Sequence, residues 1–101
     1  MSCANQYLFR LFVLHGSRRS DLALANLQHL CQQHLGERCA IEVVDVATRP
    51  ELADQERIVA TPTLIKLGPL PVRRVIGDLS DAARVLALLD LPAAAPRERT
   101  G

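Results

Sequence analysis

Cysteines and histidines are the residues of this sequence best suited to redox or metal chemistry. The cysteines are Cys3, Cys31 and Cys39, and no two of them have CxxC spacing. Enzymes of thiol–disulfide exchange place two thiols at the start of a helix, whose dipole lowers the pKa of one of them. The corresponding polar loop, residues 16–20, contains no thiol. We therefore predict free thiols, with Cys31 and Cys39 filling the core as small apolar side chains, and no oxidoreductase activity.

His29, Cys31 and His34 are metal ligands by type. On a helix, however, residues five positions apart point about 140° away from each other, so the two histidines cannot lie on one face and bind the same metal ion. The sequence predicts solvent-exposed histidines and no metal site.

Other catalytic patterns are not evident. The sequence shows no glycine-rich phosphate loop and no Ser-His-Asp arrangement, and Asp45, Asp54 and Asp78 fall in separate predicted elements. We predict a binding module without catalytic residues or cofactor. A residual thiol enzyme would instead lose its activity in Cys31→Ser or Cys39→Ser, and we expect no such activity even in the wild type.

Composition narrows the class of protein further. With 101 residues, of which 49% are hydrophobic and 3% aromatic, the chain is predicted to fold as one domain with an aliphatic core. A net charge of +1 argues against a nucleic-acid binder. No apolar run reaches the ~18 residues of a membrane helix, and no signal peptide is visible, so we expect a cytoplasmic protein.

Hydrophobic periodicity predicts seven elements in the order β-α-β-α-β-β-α, the thioredoxin arrangement of an α/β fold. The predicted elements are strands 7–14, 39–46, 63–67 and 72–76, and helices 20–36, 50–57 and 80–89. Ser20 and Ser80 are predicted helix caps, Thr48 and Glu51 a capping box, and Gly36 a helix stop. The domain is predicted to span residues 7–91, between a flexible N-terminus (1–6) and a flexible tail (92–101).

Proline and arginine positions stand out in the second half of the chain. The Thr61-Pro62 bond precedes the third strand, where the thioredoxin arrangement commonly has a cis-proline. Arg73 and Arg74 are adjacent on the fourth strand and must point to opposite faces of the sheet. Either they only protect a solvated sheet edge, or one of them binds an acidic partner together with Arg57.

Three runs in this half closely resemble the KaiB family: ATPTLIK (residues 60–66), PVRRVIGDLS (71–80) and VLALLDL (85–91). The resemblance extends over residues 6–91. It implies a non-enzymatic regulator that binds KaiC, a hexameric ATPase and autokinase, and modulates its phosphorylation cycle in a circadian clock or related timer. Implied further partners are KaiA or a SasA-like kinase. No nucleic acid, membrane or cofactor is implied.

The resemblance also implies which residues are functional. The implied partner-binding residues are Tyr7, Arg57, Thr61, Arg73, Arg74 and Asp90. Because the family switches folds, it further implies an oligomeric (dimeric or tetrameric) ground state with the order β-α-β-β-α-α-β. The fold-switch and cis-proline candidates are Pro62, Pro71 and Leu88; Leu88 replaces a glycine common in cyanobacterial relatives. The alternative is a thioredoxin-like interaction module of a signalling kinase or stress pathway, without redox activity.

Overall fold

The computed structural model describes residues 6–36 and 38–91 of the chain. Its elements are β1 (Tyr7–Val13), α1 (Arg18–His34), β2 (Cys39–Asp45), α2 (Pro50–Gln55), β3 (Thr63–Gly68), β4 (Arg73–Ile76) and α3 (Ala82–Leu89). The predicted element order is confirmed, and each strand boundary lies within one residue of its prediction. Apart from residue 6, the ends predicted to be flexible lie outside the described residues.

One four-stranded sheet has the order β2-β1-β3-β4. β1 runs parallel to β2 and antiparallel to β3, and β3 runs antiparallel to β4. The continuous apolar run of β1 suggests a parallel sheet, but the sheet is mixed. β1 is central, which explains why its sequence is apolar on both faces.

Two apolar cores lie on opposite faces of this sheet. The larger, which we call the α1–α3 face, packs α1 and α3 against the sheet. Its buried residues are Phe9, Leu11, Ala23, Leu27, Leu30, Cys31, Leu35, Leu64, Val75, Leu79, Val85 and Leu89. The smaller, the α2 face, consists of Phe12, Val44 and Ile65, with Leu52, Ala53 and Ile58 packed against it. Successive side chains of a strand point to opposite faces, so Leu64 lies in the larger core and Ile65 in the smaller.

The start of α1 differs from its prediction. Ser17, not Ser20, is the N-cap, and its side chain accepts from the amide of Ser20 at 3.3 Å. Ser20 is buried, and its hydroxyl oxygen instead accepts from the Leu14 amide at 3.1 Å. The predicted stop is confirmed: Gly36 has a φ of 61° and donates to the Cys31 carbonyl at 2.8 Å.

The capping box predicted for α2 is wrong. Arg49 is the N-cap residue and makes no side-chain capping bond. Thr48 donates its hydroxyl to the Asp45 carbonyl at 3.2 Å, and Glu51 pairs with Arg49 at 2.9 Å. This pairing lowers the pKa of Glu51. The helix ends at Gln55, two residues before the predicted end, and Pro50 occupies its first turn.

The cap predicted for α3 is displaced by one residue. Asp81 is the N-cap, and its carboxylate accepts from the amide of Arg84 at 3.2 Å. Ser80 donates its amide to Asp78 at 3.1 Å and lies outside the helix. The helix runs to Leu89, as predicted, and Asp90 follows it with a φ of 60°.

The expectation of free thiols is wrong for Cys31 and Cys39, which form a disulfide. Gly36 reverses the chain after α1, and this turn brings the first residue of β2 beside the last turn of the helix. The Cα atoms of the two cysteines lie 6.3 Å apart. Sequence spacing does not reveal the pair, because the contact depends on how the helix packs on the sheet.

The prediction that both helix histidines are solvent-exposed is confirmed for His29 only. His29 is exposed, whereas His34 is half-buried, and its Nδ1 is buried without a hydrogen-bond partner in the part of the chain described. Within residues 6–36 and 38–91, no group of three or more potential metal ligands is found. Over the same ranges, no helix has the length and hydropathy needed to cross a membrane.

Candidate partner-binding surface

The six predicted partner-binding residues divide between the two faces of the sheet. Arg57, Thr61 and Arg74 lie toward the α2 face, and Tyr7, Arg73 and Asp90 toward the α1–α3 face. A partner that lies flat against one face of the sheet contacts only one of these groups. The structure therefore separates what the sequence treats as one site.

Arg74 links β4 to the end of α2. Its Nη2 donates to Oε1 of Glu56 at 3.1 Å, and both side chains are partly exposed. Arg57 follows Glu56 directly, is exposed, and has a φ of 56°, which ends the helical path. This end of the sheet thus carries two arginines with one carboxylate between them.

Thr61 connects this basic edge to β3. The Thr61-Pro62 bond is cis, as predicted for Pro62, which is buried. The carbonyl of Pro62 accepts from the Gly77 amide at 3.0 Å, so the entry to β3 lies beside the exit of β4. The bond before Pro71 is also cis, and Pro71 itself is exposed.

Two exposed apolar side chains complete this surface. Val59 is 87% exposed and Ile76 is 59% exposed. Ile76 lies opposite Thr63 in the β3–β4 register. Alternation could have predicted Ile76, because Val75 faces the core and its neighbour must face away. No sequence signal marks Val59. We define the α2–β4 surface as Arg57, Val59, Thr61, Arg74 and Ile76.

The remaining predicted residues lie on the other face. Tyr7 packs against the α1–α3 core and its ring stacks on Phe9, with centroids 6.4 Å apart. Arg73 is exposed and lies opposite Lys66 in register, whose side chain is buried. Asp90 is exposed at the end of α3. The exposed apolar residues close in sequence to Arg73 and Asp90 are Val72 and Leu88, which are 49% and 40% exposed, less than Val59 or Ile76.

The turn between β4 and α3 contains Asp78, whose carboxylate and carbonyl both accept hydrogen bonds. The Ser80 amide donates to the Asp78 carboxylate at 3.1 Å, and the side chain and amide of Ser80 together lower the pKa of that carboxyl, with a smaller contribution from the charge of Arg19. The carbonyl of Asp78 accepts from the Asn26 side chain at 2.8 Å, which ties the turn to α1. These bonds account for a structural role, and they supply no nucleophile or general base.

Comparison with known proteins agrees with this architecture. The solved N-terminal domain of Synechococcus elongatus SasA superposes with a TM-score of 0.72 at 25% identity, covering 94% of this chain and 93% of that domain. Chloroplastic thioredoxin z superposes with a TM-score of 0.70 at 22% identity, covering 86% and 78% of the two chains. Fold and site together define a thioredoxin-like domain with no thiol in the loop that precedes α1.

Sequence comparison then gives the family. The KaiB domain model matches residues 10–91. The circadian clock oscillator protein KaiB of Synechococcus elongatus is 44% identical over 91 residues, covering 90% of this chain and 89% of that protein. The circadian clock protein KaiB3 of Synechocystis is 42% identical over 87 residues, covering 86% and 85%. The chain belongs to the KaiB family, as the sequence resemblance predicted.

Proposed function

We propose that this protein is a non-enzymatic KaiB-type regulator that binds a KaiC-like hexameric ATPase in the cytoplasm. Binding modulates the phosphorylation cycle of that ATPase in a circadian clock or a related timer. The observation that carries the proposal is the KaiB domain match over residues 10–91, on a fold that exposes the α2–β4 surface. The relatives named above are circadian clock proteins.

The chemistry of the α2–β4 surface suits a protein partner. Protein interfaces combine a desolvated apolar centre with a polar, charged rim, and a few central residues dominate their affinity. Val59 and Ile76 supply apolar area, and Arg57 and Arg74 flank it with positive charge. A partner surface with an apolar patch bordered by carboxylates would complement this arrangement.

The opposite face leaves room for a second contact. Tyr7, Arg73 and Asp90 lie toward the other face of the sheet from the α2–β4 surface. We assign them to a further partner, either KaiA, a SasA-like kinase or another copy of this chain in an oligomer. Under this assignment, substitutions on the two faces affect different complexes.

Co-purification with the KaiC of the same organism, in the presence of ATP, tests the proposal. We expect a stable complex with the wild type and its loss in Val59→Asp, because a carboxylate would be desolvated at the centre of the interface. Leu22→Asp is the matched control, since Leu22 is an exposed leucine on α1. Failure of the wild type to bind would overturn the proposed function; equal binding of both variants would overturn the choice of surface.

A second candidate is an interaction module of a signalling kinase or stress pathway. The structural similarity to the SasA N-terminal domain favours this alternative, because that domain belongs to a different protein with the same fold. Binding of a kinase, with no binding of KaiC, would select it. Neither candidate requires disulfide reductase activity.

A further inference from the structure

We propose that Cys31 and Cys39 form a reversible redox-modification site, which exchanges with small disulfides and dithiols through the sulfur of Cys39. The protein is the substrate of this exchange and not its catalyst. The site lies at the junction of α1 and β2, away from the α2–β4 surface. The inference does not depend on the identity of the partner.

The backbone holds the two cysteines at a distance suited to a disulfide. Cys31 lies in the last turn of α1 and Cys39 is the first residue of β2. Their Cα separation of 6.3 Å is within the usual range of about 4.4–6.8 Å. The amides of Leu35 and Gly36 both donate to the Cys31 carbonyl, at 2.9 and 2.8 Å, and fix the turn between the two residues. The pairing therefore arises from the fold itself.

Burial makes the two sulfurs unequal. Cys31 belongs to the α1–α3 core and is 6% exposed, whereas Cys39 is only partly buried at the rim of that core. Thiol–disulfide exchange requires the attacking sulfur to approach its target directly. An external thiol or disulfide can reach Cys39 with less disruption of the core than it would need to reach Cys31.

The exchange balances in two steps. The Cys39 thiolate attacks one sulfur of a small disulfide such as oxidised glutathione, forming a mixed disulfide and releasing one glutathione thiolate. The Cys31 thiolate then attacks the Cys39 sulfur, closes the internal disulfide and releases the second. The protein loses two electrons and the oxidant gains them, and the protons of the two protein thiols pass to the glutathione thiolates. A dithiol reductant reverses the sequence by attacking Cys39.

The site connects to the beginning of β1. Cys39 is the register partner of Tyr7, and the Tyr7 amide donates to the Arg38 carbonyl at 2.7 Å. The disulfide therefore anchors the end of α1 to the edge of the sheet that pairs with Tyr7. Reduction removes this covalent anchor, and we expect the amide of Tyr7 to exchange faster with solvent in the reduced protein.

Intact-mass measurements test the chemistry. In a Cys3→Ser background, which removes the third thiol, oxidised glutathione should lower the mass by two hydrogen atoms, and a dithiol should restore it. Adding Cys31→Ser should trap a glutathione adduct on Cys39. Adding Cys39→Ser should give much slower adduct formation at Cys31. A stable double adduct without the internal disulfide, or equal adduct rates at the two positions, would overturn the proposal.

A stability measurement on the Cys3→Ser protein needs no substitution at the pair itself. The disulfide closes a loop between residues 31 and 39, a sequence separation of 8. The oxidised protein is therefore expected to have a Tm about 10 °C above that of the reduced protein. Hydrogen exchange should locate the change at Tyr7 and Gly36, with Val75 in β4 as the distant reference. If the oxidised and reduced forms have the same Tm and the same protection at Tyr7, the pair does not anchor α1 to the sheet.

Discussion

Arg74 and Glu56 join β4 to the end of α2 through a hydrogen bond of 3.1 Å between Nη2 and Oε1. Exposed ion pairs of this kind contribute only about 0.2–1 kcal/mol to folding. Arg74→Ala should therefore lower the free energy of unfolding by less than about 1 kcal/mol. If the arginine binds a partner, the same variant should weaken that complex by substantially more.

Denaturant unfolding and partner titration together test this prediction. Arg18→Ala is the matched control, because Arg18 is an exposed arginine at the start of α1, which packs on the other face of the sheet. A variant that binds normally would show that Arg74 is only a solvated charge at the sheet edge. Glu56→Gln should leave Arg74 free and retain binding, unless the carboxylate is needed to orient the guanidinium.

The cap of α3 provides a test of local structure. Asp81 accepts from the Arg84 amide, whereas Ser80 makes no bond to the helix. Asp81→Ala should lower the free energy of unfolding by about 0.5–2 kcal/mol, and Ser80→Ala should lower it by less. Urea unfolding of the two variants gives both free energies and shows which of the two residues caps α3. A larger loss in Ser80→Ala would restore the cap predicted from sequence.

The titration of Asp78 gives a pH-dependent prediction. Because Ser80 lowers the pKa of the Asp78 carboxyl, this group stabilises the fold above its unfolded pKa of about 3.9. That stabilisation is lost as the pH falls through the lower, folded-state pKa. NMR should find the pKa of the Asp78 carboxyl below the ordinary value of an aspartate, and Ser80→Ala should raise it. An unchanged pKa in the variant would exclude the serine hydroxyl as a cause, since alanine retains the backbone amide.

The sequence predicts the order of the strands and helices because hydrophobic periodicity and the turn residues that bound each element agree along the chain. Alternation along β4 predicts that Arg73 and Arg74 point to opposite faces, and the structure confirms it, because the following residue, Val75, is buried in the α1–α3 core. The helix caps were predicted less well. Ser17, Ser20, Ser80 and Asp81 are all suitable capping residues by type, and backbone geometry alone decides which of them faces the free amides.

The surface and the disulfide depend on packing that no local pattern encodes. Val59 lies in the irregular segment between α2 and β3, where the preceding residue, Ile58, packs against the α2-face core and Val59 is exposed. Cys31 and Cys39 meet because α1 packs on β1 and Gly36 reverses the chain. The family resemblance implied six partner-binding residues, and their role in binding remains a prediction. It did not show that Tyr7, Arg73 and Asp90 lie toward one face of the sheet and Arg57, Thr61 and Arg74 toward the other.

We expect that the balance between two folds at rest depends on the helix propensity at position 88. The structure has the thioredoxin-like arrangement, and the ground-state order β-α-β-β-α-α-β remains a prediction from the family. Leu88 lies within α3 and is 40% exposed. Its helix propensity should therefore matter more than its packing in this fold. Glycine costs about 0.8–1.0 kcal/mol relative to alanine within a helix, and leucine is nearly as favourable as alanine.

Leu88→Gly should therefore lower the ratio of thioredoxin-like to ground-state molecules by about fivefold, since 1.4 kcal/mol corresponds to a factor of ten. Two folds that differ by only a few kcal/mol would respond measurably to such a change. NMR signals of the two folds give the populations directly. Leu88→Ala is the control, because it removes the side chain and keeps the helix propensity. More thioredoxin-like signal in Leu88→Gly than in the wild type would mean that Leu88 stabilises the ground state by packing within the oligomer.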